Sequence, residues 1–382
     1  MSENGTPTKI CKYCSSEIPK TAKVCPQCRR KLKGGKLKWI VIAVVLLFIF
    51  AASQGGGNKQ KEGKIGTVKD GAVTSAESRA DSSPENEPNQ AAASGTAAPD
   101  EAESVSGDEA AADDTPTVYH VGDVLQEDNL QIVYMSSGEY TEENEFLQPS
   151  EGHTYYYLQF AFENTSDSSD ASVSMYQFKG FADGYNVEQY FGGEDQLSGT
   201  LSPRRVTYGK VFYEVPVDTQ NFEVEYESNI FTGRKLIFAY EGEQDSGYTI
   251  EKDTTPSENA CAVGGTAEEG GIKFTYLSCE NYESDNQFMM PREGYHFVSC
   301  EFEVENTGSS DESVTMYSFD CYADGVTCEQ FFGRDDALNA SLSAGRKAKG
   351  TVTFEIPDDA SCVELEYLTN VWTSKRLIFT IK

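Results

Sequence analysis

The chain has 382 residues, long enough for two or three domains. Its net charge of −31 is unevenly divided: residues 1–38 hold ten Lys/Arg against two acids, a net of +8, which leaves −39 for the rest. So acidic a body excludes DNA and anionic lipid as its partners, because both repel it.

The first element is Cys11-x-x-Cys14 followed by Cys25-x-x-Cys28. Each pair can turn two sulfurs onto one ion, and the four thiolates complete a tetrahedron suited to Zn²⁺. Four protein ligands leave no open position for water, so the metal is expected to be structural. A redox dithiol would need a thioredoxin-like βαβ context, and none is near. A piece of about thirty residues cannot bury a useful core, so bound zinc would supply the folding energy. Over residues 9–32 the motif resembles the bacterial zinc-ribbon family, in which such a module often precedes a single membrane span. Ser15 stands where many such ribbons carry Gly.

The apolar run Trp39–Ala52 (WIVIAVVLLFIFAA) follows. A span needs about 20 residues. Lys36 and Lys38 can snorkel, Trp39 suits the interface and the uncharged Ser53–Gly57 can extend the helix, so a transmembrane helix is expected over residues 37–57. The rival, a signal peptide cut near Ala51-Ala52-Ser53, would discard the metal module. Arg29, Arg30, Lys31, Lys33, Lys36 and Lys38 precede the run, so the N-terminus is expected in the cytoplasm and the C-terminus outside the cell. Those charges serve orientation and anionic lipid, which argues against nucleic acid as the partner of the ribbon.

Residues 58–116 are dominated by Ala, Ser, Gly, Glu, Asp, Pro and Thr, without aromatics. Such a composition cannot offset chain entropy by burial, so a disordered acidic linker is expected.

Residues 117–242 and 261–382 are two copies of one unit. IVYMSSGEY matches FTYLSCENY, VSMYQFKGFADG matches VTMYSFDCYADG, and EQYFGGEDQL matches EQFFGRDDAL. YGKVFYEVP matches KGTVTFEIP, and FEVEYESNIF matches VELEYLTNVW. Tyr156, Leu158, Phe160 and Phe162 alternate with residues read as an outer face, among them Tyr157; Val363, Leu365 and Tyr367 alternate with Glu364 and Glu366. This period of two predicts half-buried antiparallel strands. Asp183-Gly184 and Asp324-Gly325 predict two-residue hairpins, and Asn164-Thr165 and Asn306-Thr307 predict strand ends. The fold class expected is mainly β: two tandem immunoglobulin-like antiparallel sandwiches.

The shared frame of E-N-T/S strand end, A-D-G hairpin and E-V/I-P stop resembles bacterial extracellular immunoglobulin-like domains of unknown function, related to secreted immunoprotective sandwich proteins. The plan of ribbon, span and ectodomain is similar to teicoplanin-resistance-associated membrane proteins of Gram-positive cells. Neither resemblance supplies a catalytic motif.

Cys261, Cys279, Cys300, Cys321, Cys328 and Cys362 occur only in the second copy, an even number that fits an oxidising exterior. Cys321 and Cys328 flank the Asp324-Gly325 turn and are the expected disulfide, whereas Cys300 on the apolar face reads as a buried thiol. His120, His153 and His296 have no clustered ligands in sequence, and no nucleophile elbow or phosphate loop is present. The acids Glu194-Asp195, Asp335-Asp336 and Asp167–Asp170 read as a soluble surface, with a calcium site as the alternative. Tyr190-Phe191 and Phe331-Phe332 recur before the acidic loops, and Tyr155 and Tyr157 are placed on the outer face. Aromatic strand surfaces of this kind can bind protein or glycan partners, but core or cross-strand packing is the favoured reading of these residues.

The function expected is a non-enzymatic, membrane-anchored cell-surface protein whose paired sandwiches bind an envelope or protein partner. The alternatives are a single-span signalling protein acting through the ribbon, and an envelope hydrolase. One zinc per chain is expected by metal analysis, and chelation should unfold residues 9–32; a folded but zinc-free segment would remove the ribbon.

Overall fold

A computed structural model describes residues 8–10, 17–19, 63–75, 117–229, 233–370 and 374–382. Cys11, Cys14, Cys25 and Cys28, and the expected span over residues 37–57, lie outside the described residues. Among the described residues no helix is long and apolar enough to cross a membrane. The chain divides into two units between residues 59 and 60. In the first, Thr8–Ile10 pairs antiparallel with Glu17–Pro19, a hairpin whose two strands bracket residues 11–16 in sequence.

The second unit holds both copies. In the first copy Asp123–Glu127, Leu130–Tyr140, His153–Asn164 and Val206–Pro216 form one antiparallel sheet. Phe178–Ala182, Phe222–Asn229 and Arg234–Ala239, closed by Val118–Tyr119, form the other. Tyr185–Tyr190 straddles the two sheets. The second copy repeats the plan with Thr266–Glu269, Ile272–Tyr282, Tyr295–Asn306 and Lys347–Pro357 facing Phe319–Ala323, Val363–Asn370 and Lys375–Thr380. Its straddling strand is interrupted at Cys328 into Val326–Thr327 and Glu329–Gln330. The only helical turns among the described residues are the 3₁₀ segments Met175–Gln177 and Met316–Ser318.

The two copies agree in register down to their irregularities. Bulges fall between Tyr134 and Ser136 in one and between Tyr276 and Ser278 in the other. The cores share a stacked ring pair: Tyr134 stacks on Phe160 at 5.0 Å, as Tyr276 stacks on Phe302 at 4.8 Å. Such pairs add about 0.5–1.5 kcal/mol each beyond the burial of their area. Asn164 and Asn306, the residues of the E-N-T motif, are fully buried. The Asn164 amide donates to the Ser169 and Leu201 carbonyls at 2.8 and 2.9 Å, and Asn306 donates to Ser310 and Leu342 at 2.7 Å each. The motif is thus a clamp between loop and sheet, fixed because an unpaired buried amide is costly. Asp183-Gly184 and Asp324-Gly325 turn with positive φ at both residues, as two-residue hairpins require.

The expected linker over residues 58–116 is corrected within its first part. Gly63–Lys69 and Ala72–Ser75 form a hairpin through Asp70-Gly71, and Gly63–Lys69 adds to the edge strand Asp123–Glu127. Ile65 and Val68 pack on Val124, Val133 and Ala161, together with Tyr248 from the segment joining the copies. The Thr249 amide donates to Gly71 O at 2.9 Å, which locks the joining segment over the hairpin. The hairpin survives in polar company because it borrows a sandwich edge and a strip of apolar surface from elsewhere in the chain. Replacing Ile65 and Val68 by Asp should remove about 1–2 kcal/mol of burial and expose the amides of residues 66–69 to rapid hydrogen exchange. If these amides already exchange at unfolded rates in the native protein, the hairpin is not docked.

Candidate functional site

The two copies meet along a charged, buried seam. Arg205, at the end of a first-copy loop, is nearly buried and donates to Glu364 at 2.9 Å and to Glu366 at 2.8 and 3.0 Å. Its guanidinium lies 4.7 Å from the centre of the Tyr322 ring. Tyr322 in turn donates through its hydroxyl to Thr200 O at 2.9 Å. Arg376 joins Asp170 at 2.7 Å to Glu366 at 2.9 Å, again bridging the copies. The Val206 amide donates to Gly325 O at 3.1 Å, and Val206 pairs in parallel with Val326, so a first-copy strand continues into the second copy. Glu364 and Glu366 were expected on a solvated face by alternation; the seam buries both. A buried pair of this kind is costly to break from one side, because the partner charge is left without solvent.

Asp320, beside Glu366 on the neighbouring strand, has its carboxyl pushed up to about 6, first by burial and then by the Glu366 charge. The folded state therefore holds a proton that the unfolded chain releases, and the stability this provides is lost as pH rises through about 6.

Next to the seam runs a groove of about 460 Å³, lined by Tyr208, Arg292, Tyr295, Tyr317, Glu329 and Phe332 among others. Arg292 reaches across from the second copy to Asp195, is held at 2.6 Å by Glu355, and stacks 4.4 Å from the Tyr295 ring centre.

The aromatic residues singled out in the sequence divide into two roles. Tyr155 is buried and stacks on Tyr190 at 4.1 Å, which corrects its expected place on the outer face. Phe331 is likewise buried, 4.4 Å from Phe297. Their neighbours Phe191 and Phe332 turn outward, and each meets a tyrosine of the 3₁₀ turn: Tyr176 at 5.7 Å and Tyr317 at 5.6 Å. All four rings are exposed, at 73% and 51% for Tyr176 and Phe191 and 71% and 55% for Tyr317 and Phe332. Gln189 and Gln330 tie strand to turn in both copies by donating to Met175 O and Met316 O. Phe146 and Phe288 occupy matching loop tips and are each 86% exposed. Both tips are shaped by an asparagine, Asn144 or Asn286, whose side-chain oxygen accepts the phenylalanine amide at 3.0 Å. The two 3₁₀ tyrosines and the loop-tip phenylalanines escaped the sequence reading, although both recur at matched positions of the repeat.

The acids do not gather into a cation site. Asp167 meets Arg204 at 2.9 Å, Asp336 meets Arg334 at 2.7 Å, and Asp195 and Asp170 meet Arg292 and Arg376. Among the described residues no three His, Cys, Asp or Glu side chains converge as metal ligands. His120 and His296 contact Glu241 and Asp358 singly. Cys321 and Cys328 are thiols in this structure, adjacent across the hairpin, with the Cys328 amide donating to Cys321 O at 2.8 Å. Cys300 is buried as expected, but it is not isolated: its thiol donates to Cys279 Sγ at 3.1 Å.

Arg205→Ala should cost about 3–5 kcal/mol and loosen the two copies, seen as a lower first transition in melting and faster exchange of residues 206–208. Asp320→Asn should raise the melting temperature at about pH 7.5 and change little at about pH 4, where the native carboxyl is already protonated.

Among curated proteins nothing matches the chain. Solved structures with similar parts include a putative lipoprotein, YcdA, from Bacillus subtilis, at 14% identity over 31% of this chain and 38% of that one, with a TM-score of 0.28. The chain therefore spans well under half of that lipoprotein's length. The YjhA protein of Bacillus subtilis is similar at 19% identity, covering 32% of this chain and 99% of its own, with a TM-score of 0.27. The secreted protein MPT63 of Mycobacterium tuberculosis is similar at 11% identity, over 32% of this chain and 99% of its own, with a TM-score of 0.25. A family model described as "Domain of unknown function (DUF4352)" matches residues 119–236 and again 261–377, together more than half of the chain. The chain belongs to the DUF4352 family and carries its domain in tandem.

Proposed function

We propose that this chain is a non-enzymatic, membrane-tethered protein of the cell exterior, whose tandem sandwiches form one rigid body that binds a partner in the envelope. The observation that carries this reading is a pair of exposed aromatic clusters, one in each copy. Tyr176 with Phe191, and Tyr317 with Phe332, repeat the same outward stacking in both copies. Exposed rings in contact with each other cost solvation and do not fill the core, so their recurrence points to a surface kept for a partner. Buried Arg205 and half-buried Arg376 hold the two copies, and with them the two aromatic pairs, in fixed relation, which suits a partner engaged at two points.

The basic residues before Trp39 and the apolar run itself support the anchor, with the N-terminus and its structural Zn²⁺ site of Cys11, Cys14, Cys25 and Cys28 on the cytoplasmic side. Docking of the hairpin leaves only residues 58–62 between the proposed span and the first strand of the folded body. Residues 76–116 then join two strands of that body instead of serving as its stalk.

The test is sedimentation of purified residues 60–382 with isolated cell envelopes, native against a variant with Tyr176, Phe191, Tyr317 and Phe332 all changed to Ala. The native protein should pellet, and the variant should bind at least about tenfold more weakly, since aromatic anchors carry most of such an interface. Equal binding by a folded variant would sink the aromatic clusters as the binding surface. An impermeant protease applied to intact cells should digest residues 63–382; their survival would reverse the orientation.

A further inference from the structure

The seam is heterologous: different faces of the two copies meet. Because the copies share one fold, each face occurs twice, once inside the seam and once at a free end of the tandem. The first copy contributes Ser202, Arg205 and Thr207, all buried. The shared register places Ser343, Arg346 and Ala348 at the same positions of the second copy, where Ser343 and Arg346 are exposed. The second copy contributes Tyr322, Glu364 and Glu366, all buried. Their counterparts on the first copy are Phe181, Glu223 and Glu225, half-exposed. Among the described residues Arg346 and Glu223 have no charged side-chain partner, and Glu225 meets only Lys235.

We propose that the chain associates head to tail with a second copy of itself, the Ser343–Arg346 turn of one docking on the Glu223–Glu225 face of the next. Arg346 would lie between the two carboxylates as Arg205 lies between Glu364 and Glu366. Lys235 would meet Asp311 as Arg376 meets Asp170. Lys347 would meet the exposed ring of Tyr185, at the place where Val206 pairs with Val326. A groove of about 540 Å³ lined by Asp183, Tyr185, Asn186 and His153 marks the free face where the receiving hairpin stands. Several contacts of the seam do not recur, among them that of Tyr208 with Tyr295, whose places are taken by Lys349 and His153. Phe181 lacks the Tyr322 hydroxyl, Ser150 replaces Arg292, and Ala348 replaces Thr207, whose hydroxyl bonds Thr327 at 2.8 Å. The contact between chains is therefore weaker than the seam and reversible, and its ionic character makes it weaken with salt.

Residues 60–382 form one compact unit with their own cores and can be studied as such. In sedimentation equilibrium the average mass should rise with concentration past that of a dimer, because a heterologous contact does not close on two copies. Arg346→Glu should weaken association by roughly thirtyfold or more, as should the double change Glu223→Arg with Glu225→Arg. Mixing the two variants should restore pairing, since one keeps the acidic face and the other keeps the arginine. A native protein that stays monomeric at its solubility limit overturns the proposal. So does association that survives Arg346→Glu, or a mixture of folded variants that does not pair.

A separate observation concerns sulfur. Cys279 and Cys300 are cross-strand partners, and in the first copy Ser137 and Leu158 fill the same register position. The fold therefore closes there without sulfur. We infer that Cys279 and Cys300 are an oxidisable pair that closes to a disulfide, an inference that takes its oxidising surroundings from the proposed exterior location. The Cys279 thiolate attacks a small disulfide such as oxidised glutathione and expels one thiolate. Cys300 then attacks the mixed disulfide at Cys279 and passes its proton to the second departing thiolate, so one disulfide forms as one is consumed. The hydrogen bond from Cys300 holds the half-buried Cys279 thiol down to about 7, and burial holds Cys300 up, which fits attack by the first and resolution by the second.

Reduced residues 60–382 treated with oxidised glutathione should yield a Cys279–Cys300 peptide pair in a non-reduced map, and Cys300→Ser should leave Cys279 as a glutathione adduct. Full alkylation of both thiols after treatment, or linkage of Cys279 to Cys321 or Cys328, overturns the pairing. The same map reads the Cys321–Cys328 bridge expected from the sequence. Chain alkylated at once on recovery from cells tells the two readings apart: a bridge that forms in the tube but is absent from cells overturns the exterior location and upholds the pair.

Discussion

The architecture depends on one guanidinium taken out of water. Arg205 enters the second copy and bridges two carboxylates buried as like charges on one strand, one of which it shares with Arg376. With the arginine in place, Glu364 and Glu366 are a recognition feature; without it they would repel each other and lose solvent as well. Hydrophobic burial folds each copy, but it does not choose how the copies meet. That choice is made by charges whose cost is recovered in one geometry only, and the parallel pairing of Val206 with Val326 follows from it.

The copies have diverged in a pattern that tracks this arrangement. The stacked Tyr–Phe pair of the core, the bulges and the buried asparagines are kept, because they answer to the interior of each sandwich. Other differences mark where the copies face each other. Tyr322 needs its hydroxyl to reach Thr200, whereas Phe181 at the free end has nothing so placed within its own chain. Arg292 reaches Asp195, whereas Ser150 donates its amide to Glu214 in the same copy. Of the two copies only the second carries cysteine, with Cys279 and Cys300 paired across strands and Cys328 where the straddling strand breaks among its six.

Much of the fold could be read from residues alone, because period-two alternation and Asp-Gly turns are local signals. Phe160, Phe162, Phe302 and Val304 point inward as the alternation requires. The hairpin at Gly63–Ser75 carries the same signal, Asp70-Gly71 between short apolar runs, but it is diluted by the polar sequence around it and its stability is borrowed from Val124 and Val133. Glu364 and Glu366 mislead for the opposite reason: alternation reports which side of a strand a residue occupies, not what covers that side. The candidate site was legible only in part. Phe191 and Phe332 stand out in the sequence, but their partners Tyr176 and Tyr317 lie fifteen residues earlier in each copy and join them only through the fold.

A tandem built on a heterologous contact has a consequence that a symmetric pair would not. Its two ends are unlike, one presenting Glu223 and Glu225 and the other Arg346. A symmetric pair consumes its sticky surface, whereas this arrangement carries one complementary half-interface at each end. Evolution can then tune association by altering the ends while the seam stays fixed, since Ser150 and Phe181 are free to change at no cost to Arg292 and Tyr322. The exposed aromatic pairs stand on turns that each copy builds from its own residues, and that of Tyr317 with Phe332 lines the groove beside the seam. Fixed geometry inside the chain and adjustable chemistry at its ends are what a protein needs if its copies are to be arrayed.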